Sequence, residues 1–428
     1  MIALPISIII VIIFLNKKIL STKYQLFNPI TICMLIWLFA FICHSLYFSV
    51  EDYTLYSYLM ISSGLLFLSF GFWISFLFKN NRKSNSINNN IERQHITNYN
   101  MKFICIIVVL LLIIEIIRVL LYYNYVIKEL AGSFDFFFKN ETEVRNRYLY
   151  GSPSLLYSIL EFVMNINIMV GYIFLGIYVV KKGKFRFAFL LLCIVLELFS
   201  AILTMSKLSF IMFIIVLLVT IFSLHSTRKS QKRLFYILTP IVILGIYIFL
   251  MIIGNLRNYE TIYDDGLRNI VVDKMIIYFC GGIESFGKFV SSNNSPMDFG
   301  THTFVFLVRI FTRLGLYDGK ELVMHGQDFI AIGDSQTNVY TMFRAFYLDF
   351  SFIGCLLIPF LIGIIIGFLY EKEYKSISML IVNSWLSATL AMGFFTYLWS
   401  YSIYILVIFY GFFVNFLLKK YVYLEATK

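Results

Sequence analysis

The chain has 428 residues, 60% of them hydrophobic and 14% charged, with a mean hydropathy of +0.82. That balance excludes an ordinary water-soluble domain, in which roughly 45–50% apolar residues is usual. The formal net charge of +11 does not point to nucleic acid, because the basic residues gather in short loops beside apolar runs, the orienting pattern of membrane proteins.

Apolar runs of about 20 residues recur along the sequence and predict an all-α polytopic integral membrane protein. The first run, 1–15, lacks a basic leader and a small-residue cleavage site, so it reads as a retained span. Lys17, Lys18 and Lys23 follow it and put that loop in the cytoplasm and the N-terminus outside. Spans at 29–48 and 55–78 are joined by a loop without a basic residue. The Asn-rich basic stretch 79–100 reads as a cytoplasmic loop. A fourth span at 102–125 and a fifth at 153–180 flank a loop, 128–152, expected outside. Lys181, Lys182, Lys184 and Arg186 then mark the cytoplasm again. Spans at 187–204 and 208–224 share a tight turn, and the basic run 225–233 leads to an eighth span at 234–254.

Residues 255–349 form the long external segment, and three further spans at 350–370, 377–395 and 401–418 close the chain. The expectation is about eleven spans, with N-terminus out and C-terminus in. The domains are then an N-terminal membrane part (1–254), the large external loop with interfacial helices (255–349) and a C-terminal membrane part (350–428).

No chemistry-bearing metal or nucleotide motif is present. The six cysteines form no C-x-x-C and lie mostly in apolar runs, where they act as small packing residues. There is no H-E-x-x-H, D-x-D, Walker loop or nucleophile elbow. No metal or cofactor is expected. Glu115, Arg118, Glu161 and Glu197 lie within spans, where charges face a protein interior or a polar cavity. Glu115 and Arg118 are three apart and can pair on one helix face.

Within the external loop, 270–290 carries Asp273, Lys274 and Glu284. The segment 301–316 carries His302, Arg309 and Arg313 at spacings of seven and four, which predicts one basic side of an interfacial helix. That helix either anchors at the interface or cradles an anionic lipid-linked group, since guanidinium forks bind phosphate oxygens bidentately. Asp334, Asn338, Thr341, Arg344 and Asp349 crowd the entry to the next span. If 337–348 is helical, Thr337, Thr341 and Arg344 share a face, and the helix start offers free N–H groups to an anion.

At Thr337-Asn338-Val339-Tyr340-Thr341-Met342-Phe343-Arg344 and Leu348-Asp349-Phe350-Ser351-Phe352-Ile353-Gly354, the chain resembles the Wzy-type polymerases of bacterial O-antigen and capsule repeat units. The resemblance covers this short motif residue by residue and the rest by topology. One position departs: Ser351 stands where the pattern carries a glycine after Asp-Phe.

The resemblance implies a GT-C-like architecture in the bacterial inner (cytoplasmic) membrane and metal-independent, inverting glycosyl transfer. Its substrates would be glycans on undecaprenyl pyrophosphate. Arg309, Arg313 and Arg344, with Arg118 or Lys207, would hold pyrophosphate, helped by Asn338 and Thr341. The base would come from Asp273, Glu284, His302 and Asp334. A flippase and a chain-length regulator are the partners it implies. The alternatives are an O-antigen ligase and a flippase or exporter of lipid-linked oligosaccharide.

Overall fold

The computed structural model describes residues 3–19, 28–48, 51–80, 100–151, 153–204, 206–224, 266–292, 297–317, 329–332, 335–370 and 377–422. The expected span 234–254 lies outside them. In chain order the helices are α1 (Ala3–Ile19), α2 (Pro29–Tyr47), α3 (Asp52–Asn80), α4 (Met101–Tyr122), α5 (Phe134–Lys139), α6 (Glu141–Tyr150), α7 (Leu155–Val180), α8 (Arg186–Leu203) and α9 (Lys207–Leu224). They continue as α10 (Gly266–Ser292), α11 (Val305–Arg313), α12 (Phe343–Tyr370), α13 (Ile377–Ala391) and α14 (Ser402–Val422). The strands β1 (Ile330–Ile332) and β2 (Ser335–Thr337) pair antiparallel, Ile330 opposite Thr337.

The chain is an α-helical membrane protein. Among the described residues, seven helical stretches are long and apolar enough to cross a bilayer: Pro29–Tyr47, Asp52–Ser75, Met101–Ala131, Leu155–Val180, Arg186–Leu203, Phe343–Tyr370 and Ile377–Phe394. Three shorter apolar helical stretches among the same residues, Pro5–Asn16, Leu208–Leu224 and Ser402–Val414, fall where further spans are expected.

The chain divides into two compact units. One contains Met1–Glu92 and Asp273–Phe409. Its spine is the α3–α12 pair, which meets on glycines. A Cβ on Gly71 would collide with the Phe360 carbonyl, and one on Gly363 with the Leu68 carbonyl. Gly363 and Gly367 are four apart, the small-residue spacing that lets membrane helices approach backbone to backbone. α12 is bent at Ser351, whose φ of 55° and ψ of −148° are not helical. α13 is buried along nearly its whole length.

The other unit contains Arg93–Val272 and Tyr410–Lys428. Here α4 runs on as a π-helix, Tyr123–Ala131, and stops at Gly132, whose φ of 77° suits a residue without Cβ. The expected external loop 128–152 is therefore largely helical. Phe137 and Val144, from α5 and α6, join Tyr122, Tyr125, Tyr157 and Leu203 in one apolar cluster.

Candidate functional site

The motif segment is the hub of the first unit. Thr337, Val339 and Thr341 are β-branched at alternate positions, which favours extended backbone. Thr337 accordingly closes β2, and the chain stays non-helical until Phe343. The Met342 N–H donates to the Gly393 carbonyl at 2.7 Å, tying the segment to the end of α13. Thr337, Thr341 and Arg344 thus do not share a helix face as expected, because this backbone pairs with β1 and with Gly393 rather than with itself.

Arg344 opens α12 and is nearly buried. Its guanidinium lies 4.1 Å from the Tyr340 ring centroid and 4.8 Å from that of Phe289 on α10, a cation–π stack that joins two elements. Asp349 is fully buried on the same helix. Its carboxylate accepts the backbone N–H of His302 at 3.1 Å and of Thr303 at 2.5 Å. The Asp298 N–H donates to the Leu348 carbonyl at 3.1 Å, and the Tyr397 hydroxyl to the Thr303 carbonyl at 3.2 Å. The turn leading into α11 is therefore held from α12.

This turn corrects a second expectation. α11 begins at Val305, so His302 does not share a helix face with Arg309 and Arg313. Gly300, with φ of 97°, shapes the turn, and Asp349 accepts the N–H groups of His302 and Thr303 just ahead of the first turn of α11. The His302 ring is buried, with Nε2 2.9 Å from an oxygen of half-exposed Asp298. Arg309 is half-buried and donates to Ser402 Oγ at 3.3 Å, whereas Arg313 is exposed.

Glu284 lies on α10 in a closed network. The Tyr53 hydroxyl donates to Oε1 at 2.6 Å, the Thr54 hydroxyl to Oε2 at 3.3 Å, and His44 Nε2 sits 3.2 Å from Oε2. His44 Nδ1 is 2.7 Å from the Tyr58 hydroxyl, so the pattern fits Nε2–H donating to the glutamate and Nδ1 accepting from Tyr58. Lys288 is 3.8 Å from Oε1 and donates to the Ala331 carbonyl at 3.0 Å. Burial alone would raise the Glu284 carboxyl. The hydrogen bonds from His44 and Tyr53, with the charge of Lys288, outweigh it and hold the group below the ordinary carboxylate range. His44 is not among the residues that spacing singles out, although a histidine inside an apolar span is itself a signal.

In the second unit Arg118 is buried between two carboxylates, 2.7 Å from Glu115 and 2.8 Å from Glu197, and donates to Asn165 Oδ1 at 3.2 Å. The Tyr172 hydroxyl donates to Glu115 at 2.9 Å. Glu161 accepts from Tyr122 at 3.2 Å and from Tyr148 at 2.8 Å. The expected Glu115–Arg118 pair is present, and the guanidinium is committed to structural partners.

Thr341 is buried and Asn338 half-buried in the motif segment. The side chains of Asp273 and Lys207, and the whole of Asp334, lie outside the described residues. Among the described residues no group of His, Cys, Asp and Glu could hold a metal ion. No protein family, curated protein or solved structure matches the chain. Fold and geometry define a polytopic α-helical membrane protein with a polar, aromatic-rich centre built around the start of α12.

Proposed function

We propose that this protein polymerises oligosaccharide repeat units carried on undecaprenyl pyrophosphate, at the outer face of the bacterial cytoplasmic membrane. The observation that carries the reading is the hub. One motif segment ties α10, the α11 turn and the end of α13 together, and these elements bear Glu284, His302, Arg309 and Arg313. A membrane glycosyltransferase needs such a rigid frame, because misplacement of a reacting group by about 1 Å costs about 100-fold in rate.

In this reading Arg309 and Arg313 hold the donor pyrophosphate and stabilise its charge as the glycosidic C1–O bond breaks. The acceptor hydroxyl attacks C1 from the opposite face and gives its proton to a base. His302, oriented by Asp298, is the base that fits. Glu284 fits less well: its carboxylate is saturated by hydrogen bonds and held weakly basic.

The deciding experiment is deletion of the gene in its own bacterium, with surface glycan resolved on a gel. Collapse of a polymer ladder to single repeats supports polymerisation. Polymer accumulating on the lipid carrier without attachment points to a ligase instead. Repeats trapped on the cytoplasmic side point to a flippase.

A further inference from the structure

α11 is amphipathic in the reverse sense to a helix that covers a soluble core. Val305 is buried, Arg309 is half-buried and turned to Ser402, and Thr312 lies on the same side. At 100° per residue the opposite side is Leu307, Ile310, Phe311 and Leu314, and all four are exposed. Phe299, before the helix, and Leu316, after it, are exposed as well, at 78% and 73%. Water does not favour such a continuous surface, whereas the spans present the same kind of residue outward: Leu46, Phe67, Ile117 and Ile353 are exposed likewise.

The depth of α11 follows from α12. Beyond the bend at Ser351, residues 352–370 extend about 28 Å at 1.5 Å per residue, close to a hydrocarbon core of about 30 Å. Asp349, which holds the turn before α11, stands two residues before that bend. With the straight stretch crossing the bilayer, that point falls close to the hydrocarbon boundary. A nine-residue helix there cannot span, and its length suits lying flat.

We propose that α11 is an interfacial helix whose Leu307–Ile310–Phe311–Leu314 face is seated in the phospholipid of one leaflet. The inference is independent of the polymerase reading, because it concerns where α11 rests and not what is transferred.

The test is lipid quenching in the full-length protein reconstituted into phospholipid vesicles. Phe311→Trp adds a fluorophore on the proposed face, read as the difference from the unsubstituted protein. A blue-shifted increment that is lost with lipids brominated high on the acyl chain, and kept with aqueous iodide, supports the seat. Quenching by iodide alone would overturn it. An increment shielded from both quenchers would also overturn it: cross-linking of Phe311→Cys to a second copy would then identify a self-association surface, and no cross-link a cover from the same chain. Leu314→Trp, at the helix end, gives the same reading where the first variant does not fold.

Discussion

Ser351 occupies a backbone conformation that residues other than glycine rarely adopt. The motif pattern carries a glycine at this point, and the positive φ is a physical reason for one. Ser351→Gly should raise stability by about 1 kcal/mol by removing Cβ strain, read as a higher unfolding midpoint of the detergent-solubilised protein. Ser351→Val should lower it. An unchanged midpoint in both variants would mean that the bend is not strained. Asp349 makes a second residue-scale case. Asp349→Leu leaves two buried N–H groups unmet and should cost about 2–4 kcal/mol, whereas Asp349→Asn keeps one acceptor and should cost less. If the proposed polymerase function holds, His302→Gln should abolish polymerisation with an unfolding midpoint close to that of the unsubstituted protein. A variant that still builds long glycan would remove His302 as the base.

At the scale of elements, α10 is fastened to α2 and α3 through Glu284. Its carboxyl is held low in the folded protein, so the fastening contributes stability above the ordinary carboxylate value of 4.5. That contribution is lost as pH falls through the lowered folded value. Glu284→Gln should therefore flatten the acid limb of a stability-against-pH curve. A limb of unchanged steepness would show that other groups set it.

The same scale marks what the sequence discloses. A spacing of three pairs Glu115 with Arg118, but no spacing rule reaches Glu197, which arrives from α8. Alternating Thr337, Val339 and Thr341 carry a strand pattern, yet the Ser/Thr/Asn content of the same stretch also suits a helix start, and pairing with β1 decides between them. The turn before α11 is held by Asp349, a partner 46 residues beyond Thr303 in the chain. The apolar periodicity that gives the spans is local, and so it is legible. The partners of buried polar groups are not local, and they are where the reading fails.

On the whole-molecule scale, each unit keeps its polar centre among apolar helices. In the second unit Arg118 separates two carboxylates. Arg118→Met should destabilise the protein by about 3–5 kcal/mol by leaving them uncompensated, with lost expression and a lowered midpoint. Lost glycan synthesis at an unchanged midpoint would instead make Arg118 a substrate ligand.

The glycine seam of α3 and α12 bears on motion. Seam positions on α12 succeed one another every four residues, so a slip by one turn would bring either Pro359 to where Gly363 now lies against the Leu68 carbonyl or Glu371 to where Gly367 now lies beside Ser75. The pair therefore has one register and no nearby second one. Alternating access that works by shear needs two packings of the same surfaces, and this surface offers one. A carrier would have to rock about some other joint, while an enzyme gains from a seam that holds the start of α12 still through every turnover.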